Sequence, residues 1–229
     1  MTEEGNDNSK EMRQLYSLIH QEHIIMAEYR MLQTENLPGV YVIPSYENSF
    51  LWFGVIFVRS GSYYEGGVFR FTLSLPEKFP NEEVPVITFN PPLYHPAIDS
   101  STGVLYLNEV FPQWYSQKYH IWHLLKYVQH VFYNCGVKVP GNMEASVAYK
   151  TNRKLFIEKA KLSVVASIDR IYDEPPTNDK HYITFKPYEP EHHDVFKEMM
   201  KPQNATDGAS QGISWVQPDS FQPFSKEEV

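Results

Sequence analysis

The chain has 229 residues, 42% hydrophobic and 15% aromatic, with a formal net charge of −8. That acidity argues against general affinity for nucleic-acid phosphates, and no run is apolar over the ~20 residues that a bilayer span needs. Cys135 is the single cysteine, so no intrachain disulfide can form, and the polar start MTEEGNDNSKEM lacks the apolar stretch of a secretory signal.

In chain order, residues 1–8 are polar and expected to be disordered. A helix is predicted from Ser9 to Glu35, with Leu15, Ile19, Ile25, Tyr29 and Leu32 on its apolar face. Asn8 and Glu11 have the spacing of a capping box, and Leu37-Pro38-Gly39 ends the helix. Strands follow at 40–44 and 50–58, the second almost wholly apolar and so expected to be covered on both faces. Val68 to Leu75 alternates, with Phe69, Phe71, Leu73 and Leu75 on one side and Val68, Arg70, Thr72 and Ser74 on the other. Pro76, Pro80 and Pro85 mark the turn before a fourth strand at 86–89. Trp52, Phe53, Phe57, Phe69 and Phe71 are candidate core residues.

An irregular strip then leads into helices. Ile121, Leu124, Leu125, Val128 and Phe132 form a helical stripe, with Gly136 as its stop. A second apolar run, 142–172, carries Ala145, Ala148, Phe156, Val164, Val165, Ile168 and Ile171 and is expected to break near Lys159. The order of helix, four-stranded antiparallel meander and C-terminal helices defines an α+β fold with helices on one face of the sheet. The expected boundaries are a domain over 9–175 and an extension over 176–229. The extension contains a linker at 201–212 and an aromatic tail at 213–229 that includes Trp215, Phe221 and Phe224.

Several ordered motifs carry a resemblance. They are Tyr64-Glu65-Gly66-Gly67-Val68-Phe69, Leu75-Pro76 with Phe79-Pro80 and Pro85, Tyr94-His95-Pro96, Gln113-Trp114, and the segment from Pro140 to Tyr149. Together they resemble the ubiquitin-conjugating enzymes over residues 10–175. The stretches PGVYVIPSYENSFLWFGVIF, GGVFRFT and SWVQPDSFQPFSKEE are similar to the Fused Toes group within that family. The resemblance implies a ubiquitin-conjugating-like fold and a degenerate active site at His95, Pro96, Ala97 and Tyr106. In the family a His-Pro-Asn triplet precedes a nucleophilic cysteine by about ten residues. Here Ala97 stands in place of the asparagine and Tyr106 in place of the cysteine.

The chemical consequence is direct. A thiol titrates near ~8.5 and readily forms a nucleophilic thiolate, whereas a phenol near ~10 yields far less anion at neutral pH. The family asparagine is held to stabilise an oxyanion, and losing one such donor costs ~2.7–4 kcal/mol of barrier. The resemblance therefore implies a non-catalytic adaptor, a pseudoenzyme with no cofactor and no metal. Its implied partners are Hook-family adaptors, which link vesicles to microtubule transport, and its expected setting is the cytoplasm, the nucleus, or membrane surfaces reached through partners.

The alternative is an accessory subunit that binds ubiquitin without a covalent bond and pairs with an active conjugating enzyme. Cys135 is read as a small core residue, at the end of a helix where the dipole disfavours a thiolate. His95 is read as a structural brace. His20, His23, His120, His123 and His130 are read as solvated faces, because a zinc site would need tighter Cys or His spacing. Trp215, Phe221 and Phe224 are the candidate partner-binding residues, the alternative being that they dock on their own domain.

Overall fold

The computed structural model describes residues 4–81 and 83–190. Helix α1 (Glu4–Thr34) leads into strands β1 (Val40–Pro44), β2 (Leu51–Phe57), β3 (Val68–Ser74) and β4 (Val86–Phe89). Helices α2 (Ile121–Tyr133), α3 (Met143–Thr151) and α4 (Arg153–Asp169) follow. The strands form one antiparallel sheet in sequence order.

Register sorts the side chains into two faces. Trp52 pairs with Leu73 and Ile56 with Phe69, while Phe71 and Leu73 face Phe89 and Ile87 on β4. All of these residues are buried. The expected α2 stripe lies against them, with Ile121, Leu124, Leu125, Val128 and Phe132 all fully buried. Phe132 stacks on Phe69 with ring centroids 5.2 Å apart. Glu28 of α1 starts α2: its carboxylate accepts from the Ile121 N–H at 2.9 Å and lies 2.8 Å from His120 Nδ1. An acidic group at a helix N-terminus satisfies an orphan donor and favours the dipole.

Several expectations change here. Helix α1 begins at Glu4, so residues 4–8 are helical and Asn8 cannot cap a helix that runs through it. On α1, Ile25 and Leu32 are buried, but Leu15 and Ile19 are exposed, because the sheet and α2 lie beneath only the later turns. The long helical run breaks at Asn152 rather than near Lys159. Asn152 donates its N–H to Ala148 O, closing α3, and its side chain accepts from Leu155 N–H, opening α4. Val165 and Ile168 of α4 face solvent. Helix α2 ends at Tyr133, three residues ahead of Gly136.

Another difference lies at the C-terminal boundary. The compact unit extends through Lys186, past the expected limit at 175. Residues 177–186 form a strap over the outer face of the sheet. Tyr182 meets Phe53 edge-on at 5.0 Å and Phe185 meets Phe57 at 5.7 Å. Arg70 of β3 donates to the carbonyls of Ile183, Arg170 and Ile171 and lies 5.0 Å over the Phe185 ring. Asp179 fastens the other end. Its carboxylate accepts from Ser45 Oγ at 2.6 Å and from the N–H groups of Tyr46 and His181 at 3.1 and 2.8 Å. Burial pushes the Asp179 carboxyl up, and these hydrogen bonds outweigh it, bringing it down to about 2. The strap explains why β2 is apolar on both faces. The linker 201–212 and the tail residues Trp215, Phe221 and Phe224 lie outside the described residues.

Candidate functional site

The strip after β4 is built around His95, which is fully buried. Its Nδ1 accepts from the Ala97 N–H at 3.0 Å, so the proton sits on Nε2, which donates to Val131 O of α2 at 3.0 Å. Burial lowers this imidazole to about 4, against a smaller opposing effect of the Val131 hydrogen bond. Tyr64 packs on the ring at 5.2 Å and donates its hydroxyl to Tyr94 O at 2.7 Å. A neutral, doubly committed histidine has no lone pair left to take a substrate proton. His95 therefore braces the strip.

Pro96 ties the strip to α3, its carbonyl accepting from Gly141 N–H at 2.9 Å and Asn142 N–H at 3.1 Å. Asn142 then caps α3, its side chain accepting from Ala145 N–H. Ala97 is buried, and its carbonyl accepts from Tyr106 N–H at 2.9 Å. Residues 97 and 106 are thus held side by side. The Tyr106 ring, about one-third exposed, lies against Gly141, where an added Cβ would fall 2.6 Å from Tyr106 Cδ2. All four strip residues named from the sequence (His95, Pro96, Ala97 and Tyr106) converge here. Gly141 is not among the sequence candidates, because nothing in the sequence marks a glycine thirty-five positions past Tyr106 as the floor beneath its ring.

Between them runs a tight turn. Asp99 Oδ1 accepts from the hydroxyls and N–H groups of Ser101 and Thr102 at 2.6 to 3.0 Å. The Ser101 hydroxyl, then the Thr102 and Ser101 N–H groups, hold this carboxyl well below the usual range. Gly103 closes the turn with φ 76°, and a Cβ there would fall 2.1 Å from Phe89 O. Both the left-handed backbone and the approach to β4 demand glycine. Gly103→Ala is expected to destabilise the protein by more than ~3 kcal/mol, read from the urea midpoint at unchanged slope. A loss below ~1 kcal/mol would show that the turn relaxes freely.

Cys135 sits apart from the exposed rim. It is 2% exposed, with Sγ 3.8 Å from Val131 O. Burial pushes the thiol up to about 12, against a weaker opposite pull from Arg153. Such a thiol is neither accessible nor ionised at neutral pH. His120 and His123 serve the α1–α2 contact, His123 Nδ1 accepting from His120 N–H at 3.0 Å. Among the described residues, no group of three or more His, Cys, Asp or Glu is placed to hold a metal ion. No described helix is long and apolar enough to cross a membrane.

The sheet, the strip and the trailing helices match a known domain. The family model described as "Ubiquitin-conjugating enzyme" matches residues 24–164. The chain belongs to the ubiquitin-conjugating enzyme family. Among ubiquitin-conjugating enzyme folds, it is similar to a putative ubiquitin conjugating enzyme from Plasmodium yoelii, with a TM-score of 0.58 and 26% identity over 64% of this chain and 94% of that one. The nearer relatives are a named group within the family. A "Protein crossbronx homolog" of Anopheles gambiae is 43% identical over 99% of this chain and 100% of its own length. The "AKT-interacting protein" of Homo sapiens is 39% identical over 93% of this chain and 75% of its own. This chain is thus a ubiquitin-conjugating-like protein of the crossbronx and AKT-interacting group, the Fused Toes group.

Proposed function

We propose that this chain is a non-catalytic adaptor that keeps the ubiquitin-conjugating fold as a binding scaffold. The observation that carries the reading is the exposed Tyr106 ring, held beside Ala97; by the family likeness, that is the nucleophile's position. A phenol replaces the thiol, and an alanine replaces the side-chain donor of the oxyanion site. The buried Cys135 thiol offers no substitute. The relatives named for an interaction with AKT, rather than for an activity, support a binding role. On the Fused Toes likeness, the complex is one with Hook-family proteins that couples vesicles to microtubules in the cytoplasm, and Trp215, Phe221 and Phe224 are the tail's partner contacts.

The test uses the full-length protein with activating enzyme, ATP and labelled ubiquitin, resolved on gels with and without reductant. The expected result is no ubiquitin adduct that reductant removes. A reducible adduct of the mass of one ubiquitin on this chain would overturn the reading.

A further inference from the structure

A groove of about 410 Å³ runs between α4 and the loop that leaves β4, a size that takes a small ligand. Its middle is apolar. Leu162 and Ala166 of α4 line it together with Pro91, Pro92 and Leu93 of the loop. Leu162 is 67% exposed, so this wall stands open to solvent. The two ends differ. At one end Lys159 Nζ lies 5.1 Å over the Tyr94 ring and is already paired with Glu144. At the other, eleven residues and thus ~16 Å further along the helix axis, Arg170 comes together with Arg70 and Asn90. The Arg70 side chain donates to the Arg170 and Ile171 carbonyls, and its own carbonyl accepts from the Asn90 N–H.

Charge and hydrogen bonding decide what fits. Among the described residues no carboxylate lines the groove. Asp169, Asp173 and Glu174, the acidic residues nearest Arg170 in sequence, are exposed and stand outside its walls. The Arg70 hydrogen bonds go to neutral carbonyls, so they offset the negative end of the α4 dipole and leave the guanidinium charge to be matched. The hydroxyls in the walls are spent. Ser163 donates to Lys159 O and accepts from Tyr94 N–H, and Ser167 donates to Val164 O and accepts from Val68 N–H. A peptide laid here would bury backbone N–H and C=O groups without partners, whereas an alkyl chain has none to satisfy.

We infer that this groove binds an aliphatic carboxylate of the fatty-acid class. The chain lies between Leu162 and Ala166 on one side and the paired prolines 91 and 92 on the other, and the carboxylate meets Arg170 and Arg70 at the end of α4. Two guanidinium groups supply charge-assisted donors of the geometry a carboxylate takes. The inference does not depend on the adaptor reading, because the ubiquitin assay reports on the strip and not on this groove.

The experiment is a fluorescence titration of the full chain with undecanoate carrying a dansyl group at its far end, kept below the concentration at which it forms micelles. Saturable binding is expected, displaced by unlabelled undecanoate and about tenfold or more less well by undecanol, which has the chain without the charge. Arg170→Glu should weaken binding about tenfold or more. Lys161→Glu makes the same charge change at an exposed position of α4 outside the groove and should leave binding unchanged. Circular dichroism should report the same fold for both variants. No saturable binding, equal displacement by undecanol, indifference to Arg170→Glu, or equal weakening by Lys161→Glu overturns the inference. So does a leucine-terminated pentapeptide with a free carboxylate that displaces the probe better than undecanoate, which would give the groove to a peptide end.

Discussion

Replacing His95 with alanine should cost about 4 kcal/mol at pH 7 and lower the melting temperature by roughly 10 °C. The change leaves the buried Ala97 N–H without its acceptor and the Val131 carbonyl with only the weak Cys135 thiol donor, and it opens a hollow against Tyr64 and Phe132. A second signature separates this brace from generic packing. The folded imidazole sits at about 4 and an unfolded one near ~6.5, so the unfolded chain takes up the proton first. Stability contributed by the neutral ring is complete above pH ~6.5, falls as pH drops, and levels off near pH 4. About 2.5 pH units at ~1.36 kcal/mol each gives roughly 3 kcal/mol. His95→Gln lacks this dependence. Denaturant titrations at pH 7 and pH 4.5 should therefore show the gap between wild type and His95→Gln narrowing at the lower pH. Asp179, at about 2, still holds its charge there and does not confuse the comparison. Parallel stability curves would remove His95 from this role.

A chain shortened to end at residue 175 should be far less stable than one ending at 186. The shorter fragment loses Tyr182, Ile183 and Phe185 from the outer sheet face, uncovering Phe53 and Phe57. It also loses the Asp179 clamp and leaves Arg70 with fewer acceptors. Burying one large apolar side chain stabilises by ~1.5–3 kcal/mol, and an aromatic pair adds ~0.5–1.5. The shorter fragment is expected to melt at least ~5 °C below the longer one, a difference of roughly 2 kcal/mol. Equal melting of the two fragments would mean that the strap lies on the sheet without stabilising it.

How legible this was in the sequence depends on how local the cause is. The alternation of Phe69, Phe71 and Leu73 fixes one face of β3 by itself, and all three are in the core. The stripe on α2 has the same property. On α1, periodicity identified Leu15 and Ile19 as sharing a face with a pattern but could not say whether anything lay beneath them. The break at Asn152 was hidden because one asparagine both ends a helix and begins another, with no glycine or proline to mark it. The strap was the largest omission. Residues 177–185, TNDKHYITF, set a turn ahead of alternating residues, and that was the available signal. The paired prolines at 175 and 176 read instead as a domain end. At the site, the strip residues were recognisable by motif order, whereas Gly141 was not, since its role depends on a contact across the fold.

The pairing of Tyr106 with Gly141 makes the present state hard to leave by single steps. A small nucleophile at 106 would vacate the space the ring now fills, while any side chain gained first at 141 would collide with that ring. Ala97 would still lack a donor. On the proposed non-catalytic reading, a lineage carrying this arrangement would need more than one substitution to place thioester chemistry here.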